Sequence, residues 1–373
     1  MNRRGFLRGT TGIGTVGIAG IAGCLEQLGF EEESAWANPP LVENRPDAVY
    51  LPSSREEMAM YGTATDGDYA VALSYTFPHR FWIVSGGKEL VEVNTDDSLH
   101  LMVTLWDRET HTVLPVDMRL EIRQEGSPID DGVFSPWPMI SQRMGFHYGD
   151  NVRLPGEGEY TVRVRADPLT GTARTGAFEG RLDEPASLEV DFEYARSDIN
   201  GLSFETIDED RWGSRDALSL MTHGEEGSDG EAGSDGQGSG PPMGQGPSVD
   251  ELPGELLGTE RTGDASFPVV VTDADRFTDD GAYLAVSPRT PYNDVILPFT
   301  SLSAAIDREG ERRDDGSLTA TLDDEFGYHY GLAVDDVREG DRVTITVDSP
   351  PQVSRHDGYE TAFFEFEAVT YTV

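Results

Sequence analysis

The stretch "YAVALSYTF" (Tyr69–Phe77) decides the fold. Tyr69, Val71, Leu73, Tyr75 and Phe77 take alternate positions, and small or polar residues fill the gaps between them. A period of two marks a strand with one face on a core, because successive side chains leave a strand on opposite sides. The pattern returns at Met118, Leu120 and Ile122, at Tyr160, Val162 and Val164, and at Leu188, Val190, Phe192 and Tyr194. Further on it recurs at Val343, Ile345 and Val347 and at Val369, Tyr371 and Val373. Turns rich in Gly, Pro and Asp separate these runs, and helical periodicity is nearly absent. The expected fold is all-β, built from antiparallel β-sandwiches of the immunoglobulin type.

An internal repeat sets the number of sandwiches. "HLMVTLWDRETHTVLP" from His100 lies over "YLAVSPRTPYNDVILP" from Tyr283, and "IRQEG" from Ile122 lies over "IDREG" from Ile306. "GFHYGDNV" from Gly145 then repeats as "GYHYGLAV" from Gly327. Three landmarks in the same order at nearly one spacing indicate a duplicated domain. The expected division is a first sandwich over residues 46–200 and a second, related one over 259–373. Each is of normal size for a single core. Residues 201–258 join them, with a short helix in "FETIDEDRWGSRDALSLM" and then a flexible acidic Gly/Ser-rich linker. That linker has too little apolar surface to offset its ordering entropy.

The N-terminus indicates export. Arg3 and Arg4 precede a short, weakly apolar run that ends in Ile21-Ala22-Gly23-Cys24. Twin arginines before such a run read as a Tat export signal over residues 1–23. The run is too short and too glycine-rich for a good membrane-spanning helix. Its end resembles a lipobox, which implies a mature protein beginning at Cys24, lipidated there and held at the outer face of the cytoplasmic membrane. Cys24 is the single cysteine, so no disulfide forms within one chain. A polar stalk is expected over residues 24–45.

The formal net charge is −41, with 69 acidic against 28 basic side chains, and Lys88 is the sole lysine. An acidic, lysine-poor surface resembles those of extreme halophiles, where molar salt shortens the Debye length to about 3 Å. This charge argues against nucleic-acid binding, which needs a basic face.

Histidine and methionine supply the candidate chemistry. Met139 and Met144 stand just before His147 in "PWPMISQRMGFHYGDN". His100 opens a strand whose core phase is Leu101, Val103 and Leu105, so it points away from that core with Met102. His79 follows the end of a strand in "PHRFW". Imidazole with thioether suits copper, and imidazole with carboxylate or water suits iron, manganese or zinc. His111 lies among charged loop residues and His223 in the linker, and both read as solvated. There is no HExxH, G-x-S-x-G or Walker A motif, and carboxylate pairs are too common to single out; the chain is not expected to be an enzyme.

Pro-Met, then His-Tyr-Gly, then Asn and an apolar strand resembles the periplasmic iron-transport lipoprotein family. The resemblance covers the first sandwich, most clearly from His100 to Arg165. It implies an exported immunoglobulin-like protein that binds copper, and iron or manganese, near a dimer interface and works beside a high-affinity iron permease. Carried over, Met139 and His147 match the family's methionine and HYG histidine, with one extra residue between them, so Met144 is an alternative thioether. The family's early strand histidine, followed by a glutamate two positions on, has no match in Tyr69–Phe77, which leaves His79 or His100 to replace it. Its later Arg-His histidine is absent at Arg174-Thr175 and present at Arg355-His356. The second sandwich thus offers His329 and His356, and no methionine follows Met243.

The expected metal residues are therefore His79, His100, Met139, Met144, His147, His329 and His356, around iron or copper. The repeat is expected to stand in for the family's homodimer as an intramolecular pseudo-dimer, with a homodimer as the alternative. A structural or protein-interaction lipoprotein, whose HYG turns are scaffolding, is the competing expectation.

Overall fold

A computed structural model describes residues 39–221 and 240–373, which belong to a compact unit running from Ala35 to Val373. Arg3, Arg4, Cys24, His223 and the middle of the expected linker lie outside the described residues. Two antiparallel sandwiches make up the described chain, and the all-β expectation is borne out. In the first, the four-stranded sheet Ala186–Tyr194, Gly158–Ala166, Met118–Gln124, Ser127–Phe134 packs on a larger sheet. That larger sheet runs Ala59–Asp66, Tyr69–Thr76, Leu99–Asp107, Gly145–Val152, Trp137–Ser141. The second sandwich repeats this order with Glu255–Thr262, Ala265–Thr272, Ala282–Val286, Gly327–Val334, Thr319–Asp323.

Each large sheet takes its next strand from the other sandwich. Ser354–Arg355 runs parallel to Trp137–Ser141, pairing Ser354 with Met139 and Arg355 with Ile140. In return Ala173–Arg174 runs parallel to Thr319–Asp323, pairing Ala173 with Thr321 and Arg174 with Leu322. The two seams are pseudo-equivalent. Among the described residues only the first is extended, by a hairpin of Phe81–Val84 and Lys88–Val91 that packs outside Ser354–Arg355.

Alternation places the core as expected: Tyr69, Val71, Leu73, Tyr75 and Phe77 are buried together with Leu101, Val103 and Leu105. The opposite face is not solvated. Ser74, Thr76, His100, Met102 and Thr104 are also buried there. The sequence pattern could not show that the exchanged strand and its flanking loops cover this polar face.

Three expectations about the connections are corrected. No helix forms in "FETIDEDRWGSRDALSLM": Phe204–Thr206 is a strand paired with Ser54–Glu56, and Glu209–Arg211 is a single 3-10 turn. Tertiary strand pairing overrides a weak local preference. The short α-helix lies earlier, at Arg196–Gly201. The linker is not free at its described end, where Met243 O accepts from Phe146 N at 3.3 Å and Gly244 O from Ile296 N at 2.9 Å. Residues 39–45, the described end of the expected stalk, are also packed: Val42 is buried, and Arg45 pairs with the fully buried Glu360 at 2.8 Å. Glu360 also accepts from Tyr50 Oη at 2.6 Å, which ties the start of the fold to its last segment.

Candidate metal centre

Strand register builds the site. Met139 lies opposite His147, Gly149 opposite Met102 and Asn151 opposite His100. Directly opposed residues share a face, so Met102, His100, Met139 and His147 all stand on the face away from the first sandwich's core. Immediately after the exchanged strand, His356 arrives with its N–H bonded to Ile140 O at 3.3 Å. Arg355 anchors that strand. It is fully buried, donates to the Val353 and Pro351 carbonyls and lies over the Phe363 and Phe364 rings. Burial alone lowers its pKa to about 9.

The imidazoles converge. The His147 and His356 ring centres are 5.3 Å apart, His100 and His356 5.6 Å, and His79 and His100 4.2 Å. One ring nitrogen each from His79, His100 and His356 lies within 4.8 Å of the others. His147 Nδ1 is 3.1 Å from Gly145 O, and His100 Nδ1 is 2.9 Å from Asn151 Oδ1. Asn151 donates through Nδ2 to His79 O at 2.9 Å, so its oxygen faces the imidazole. In both rings Nδ1 therefore carries the proton and Nε2 the lone pair. The Nε2 atoms of His100, His147 and His356 are buried without a hydrogen-bond partner among the described residues, a costly arrangement unless something fills it.

Met139 supplies sulfur at the same place. A Cβ on Gly149 would stand 2.8 Å from His100 Nε2 and 3.2 Å from Met139 Sδ. The glycine of HYG thus keeps open the space between an orphaned nitrogen and a thioether. A cavity of about 100 Å³ reaches the cluster, with Met58, Met102, His79, His147 and His356 in its wall.

Electrostatics keep the His100, His147 and His356 imidazoles neutral. Burial lowers the His147 pKa to about 4, against a smaller opposing pull from its hydrogen bond to Gly145. Burial, then the neighbouring imidazoles, hold His100 and His356 well below the usual range. At His79 burial is again the largest single influence and pulls downward. The Glu56 carboxylate, the Phe77 carbonyl and Asp357 together outweigh it, so the pKa is raised. Neutral nitrogens and a thioether fit a transition ion of the copper or iron kind.

Of the seven expected residues, the structure brings together His79, His100, Met139, His147 and His356. Met144 is buried in the turn before His147, its N–H bonded to Ser141 Oγ at 3.0 Å, outside the paired register that sets Met139 opposite His147. His329 stands at the other seam. Its Nε2 is not orphaned: the Tyr283 hydroxyl lies 3.1 Å away. Sequence reasoning missed Glu56, which has no motif. Asn151 and Gly149 were legible only as parts of "HYGDN".

The fold and this cluster define a class: an all-β double sandwich with a buried imidazole and thioether centre at the seam between its halves. Residues 111–195 match the family described as Fe2+ transport protein, which bears out the resemblance read from the sequence. Residues 250–372 match a domain of unknown function. Among curated proteins none matches the chain. Solved structures similar to it include FetP of uropathogenic Escherichia coli strain F11, as isolated, at 17% identity over 37% of this chain and 97% of that one, with a TM-score of 0.27. A copper-bound glutamate-to-glutamine variant of the same FetP shares 19% identity over 37% of this chain and 98% of that one, with a TM-score of 0.28. A copper-bound glutamate-to-glutamine variant of Campylobacter jejuni P19 shares 17% identity over 37% of this chain and 98% of that one, with a TM-score of 0.30.

Proposed function

We propose that this chain is an exported, lipid-anchored metal-binding protein that assists iron or copper acquisition at the cell surface. In this reading His100, His147 and His356 hold the ion through Nε2 and Met139 through Sδ. The observation that carries it is the set of three buried Nε2 atoms without partners beside a thioether. The ion would be the cargo. The residues of this chain exclude water, present neutral lone pairs and fix each ring through Nδ1. The match of residues 111–195 to a Fe2+ transport family supports the same reading.

The second sandwich completes the centre by contributing His356, so the duplicated chain does alone what a pair of subunits would do. One complete centre per chain follows. The reading also takes Cys24 as the lipid anchor, the Arg3-Arg4 segment as the export signal and an iron permease as the partner; it assigns no catalytic step. The test is equilibrium competition titration of the purified exported protein with cuprous, cupric and ferrous ions in high salt. Binding of one ion per chain is expected, with His147→Ala weakening it more than about 100-fold, beyond the effect usual for residues that merely support a ligand. Absence of binding would leave the structural lipoprotein reading in its place.

A further inference from the structure

His79 sits among the candidate ligands, yet its nitrogens are already engaged. Nδ1 lies 3.0 Å from Phe77 O and 3.2 Å from Glu56 Oε2. Both neighbours only accept, so Nδ1 carries a proton. Nε2 lies 2.9 Å from His356 Nδ1. In a neutral His79 ring Nε2 is an acceptor, which makes His356 Nδ1 the donor and leaves the lone pair of His356 on Nε2. That Nε2 is the atom buried without a partner.

We infer that His79 is a positioning residue of this centre and not a further imidazole ligand: backed by Glu56, it sets the tautomer and ring orientation of His356, the donor that comes from the second sandwich. The inference rests on the metal-binding reading above. Metal-ligating histidines commonly give their second ring N–H to an acceptor that fixes the ring, and loss of that acceptor weakens binding about 10–100-fold. For His79 to ligate through Nε2, it would have to abandon His356 and leave a buried N–H unpaired.

The backbone is built for this role. Asn151 accepts from His79 N at 3.3 Å and donates to His79 O at 2.9 Å, so the residue that orients His100 also holds His79. Arg80 pairs with Asp357 at 2.7 Å, joining the neighbours of the two histidines. His79 and His356 are thereby held from both sides. The hairpin that follows His79 packs on the exchanged strand through the pairing of Trp82 with Arg355.

The test uses the full chain titrated with copper, with coordinated imidazoles counted by X-ray absorption and electron paramagnetic resonance. His79→Leu is expected to weaken copper binding about 10–100-fold with the imidazole count unchanged. His79→Gln, whose amide oxygen accepts from His356 Nδ1–H, recovers most of that loss, and Glu56→Gln weakens binding less than His79→Leu does. Imidazole nitrogen NMR without metal gives an independent reading: His356 carries its proton on Nδ1 in the wild type and becomes a tautomer mixture in His79→Leu. Loss of one coordinated imidazole in both His79 variants makes His79 a ligand and overturns the inference. Wild-type affinity in His79→Leu overturns it equally. If His79→Leu does not fold, His79→Gln and Glu56→Gln decide the matter. Wild-type protein that takes up neither copper nor iron overturns the underlying reading, a result distinguishable from failure at His79.

Discussion

The two seams of this molecule share a backbone plan and differ in their side chains. Where the first places His100, Met139, His147 and His356, the second places Tyr283, Thr321, His329 and Thr175 in the same strand registers. The HYG imidazole is present in both, tied through Nδ1 to a carbonyl two residues earlier at 3.1 Å in each. Its other nitrogen tells them apart. His147 Nε2 is orphaned, whereas His329 Nε2 meets Tyr283 Oη, which also lies 3.2 Å from Thr321 Oγ1. A Cβ on Gly331 would come within 1.7 Å of that hydroxyl, so the tyrosine occupies the space that stays open beside Gly149. Thr175, in the place of His356, spends its hydroxyl on Asp323 at 2.9 Å. A conserved turn geometry is therefore not a site. The candidate site lies where the donors facing the turn have no partner among the described residues.

The largest expected effect separates the seams directly. His356→Ala lowers copper affinity more than about 100-fold, beyond the cost of losing a merely supporting residue, while His329→Ala leaves it unchanged in the same competition titration. Equal losses would erase the distinction between the seams. Next come the two glycines. Gly149→Ala places a Cβ against His100 Nε2 and Met139 Sδ and weakens binding about 10–100-fold by displacing both donors. Gly331→Ala instead overpacks against Tyr283, lowering stability by about 1–3 kcal/mol with no change in metal affinity; thermal melts and titration of each variant distinguish the two outcomes.

Rebuilding the second seam sharpens the comparison with a smaller effect. The triple change Thr175→His, Tyr283→His and Thr321→Met restores the donor set around His329 and raises the stoichiometry from one ion per chain to two. The new ion binds more weakly, because Ala333 faces position 283 where Asn151 faces and orients His100 in the first seam, so the imidazole introduced at 283 has no such support. A third change is smaller again and common to both seams. Burial holds His147 and His329 at about 4 in the folded chain, against roughly 6.5 when unfolded. Between those values the unfolded chain binds more protons. The contribution of these two rings to the stability of the metal-free protein is therefore complete above about pH 6.5 and is lost as pH falls toward 4. Urea midpoints across that window check this, and His329→Gln flattens the slope without altering metal uptake.

Much of the fold was legible because its signals are local. Tyr69 to Phe77 and Leu99 to Leu105 alternate whatever the rest of the chain does, and the repeated HYG octapeptide marks the duplication. The donor residue types at the centre were also legible, since Met139 and His147 are close in sequence and His356 follows the Arg of an Arg-His pair. Their sorting was not. His329 looks like His147 in sequence, and only the tyrosine across the sheet shows that its nitrogen is satisfied. Met144 looks like Met139, but the turn takes it off the shared face. Glu56 and Asn151 act through hydrogen bonds to residues distant in the chain, for which a single sequence holds no pattern. The expected helix after Phe204 failed for a related reason: its strand partner, Ser54–Glu56, lies far upstream.

The sequence by itself determined two antiparallel sandwiches of related order and the kinds of donor they carry, because side-chain periodicity and duplication are properties of neighbours along the chain. Only the tertiary structure decided which imidazoles meet. That depends on one short parallel pairing, Ser354 with Met139, which brings His356 across from the second sandwich to the face left polar on the first. Backbone hydrogen bonds between distant strands fix that register, and nothing in the local sequence of either strand names its partner.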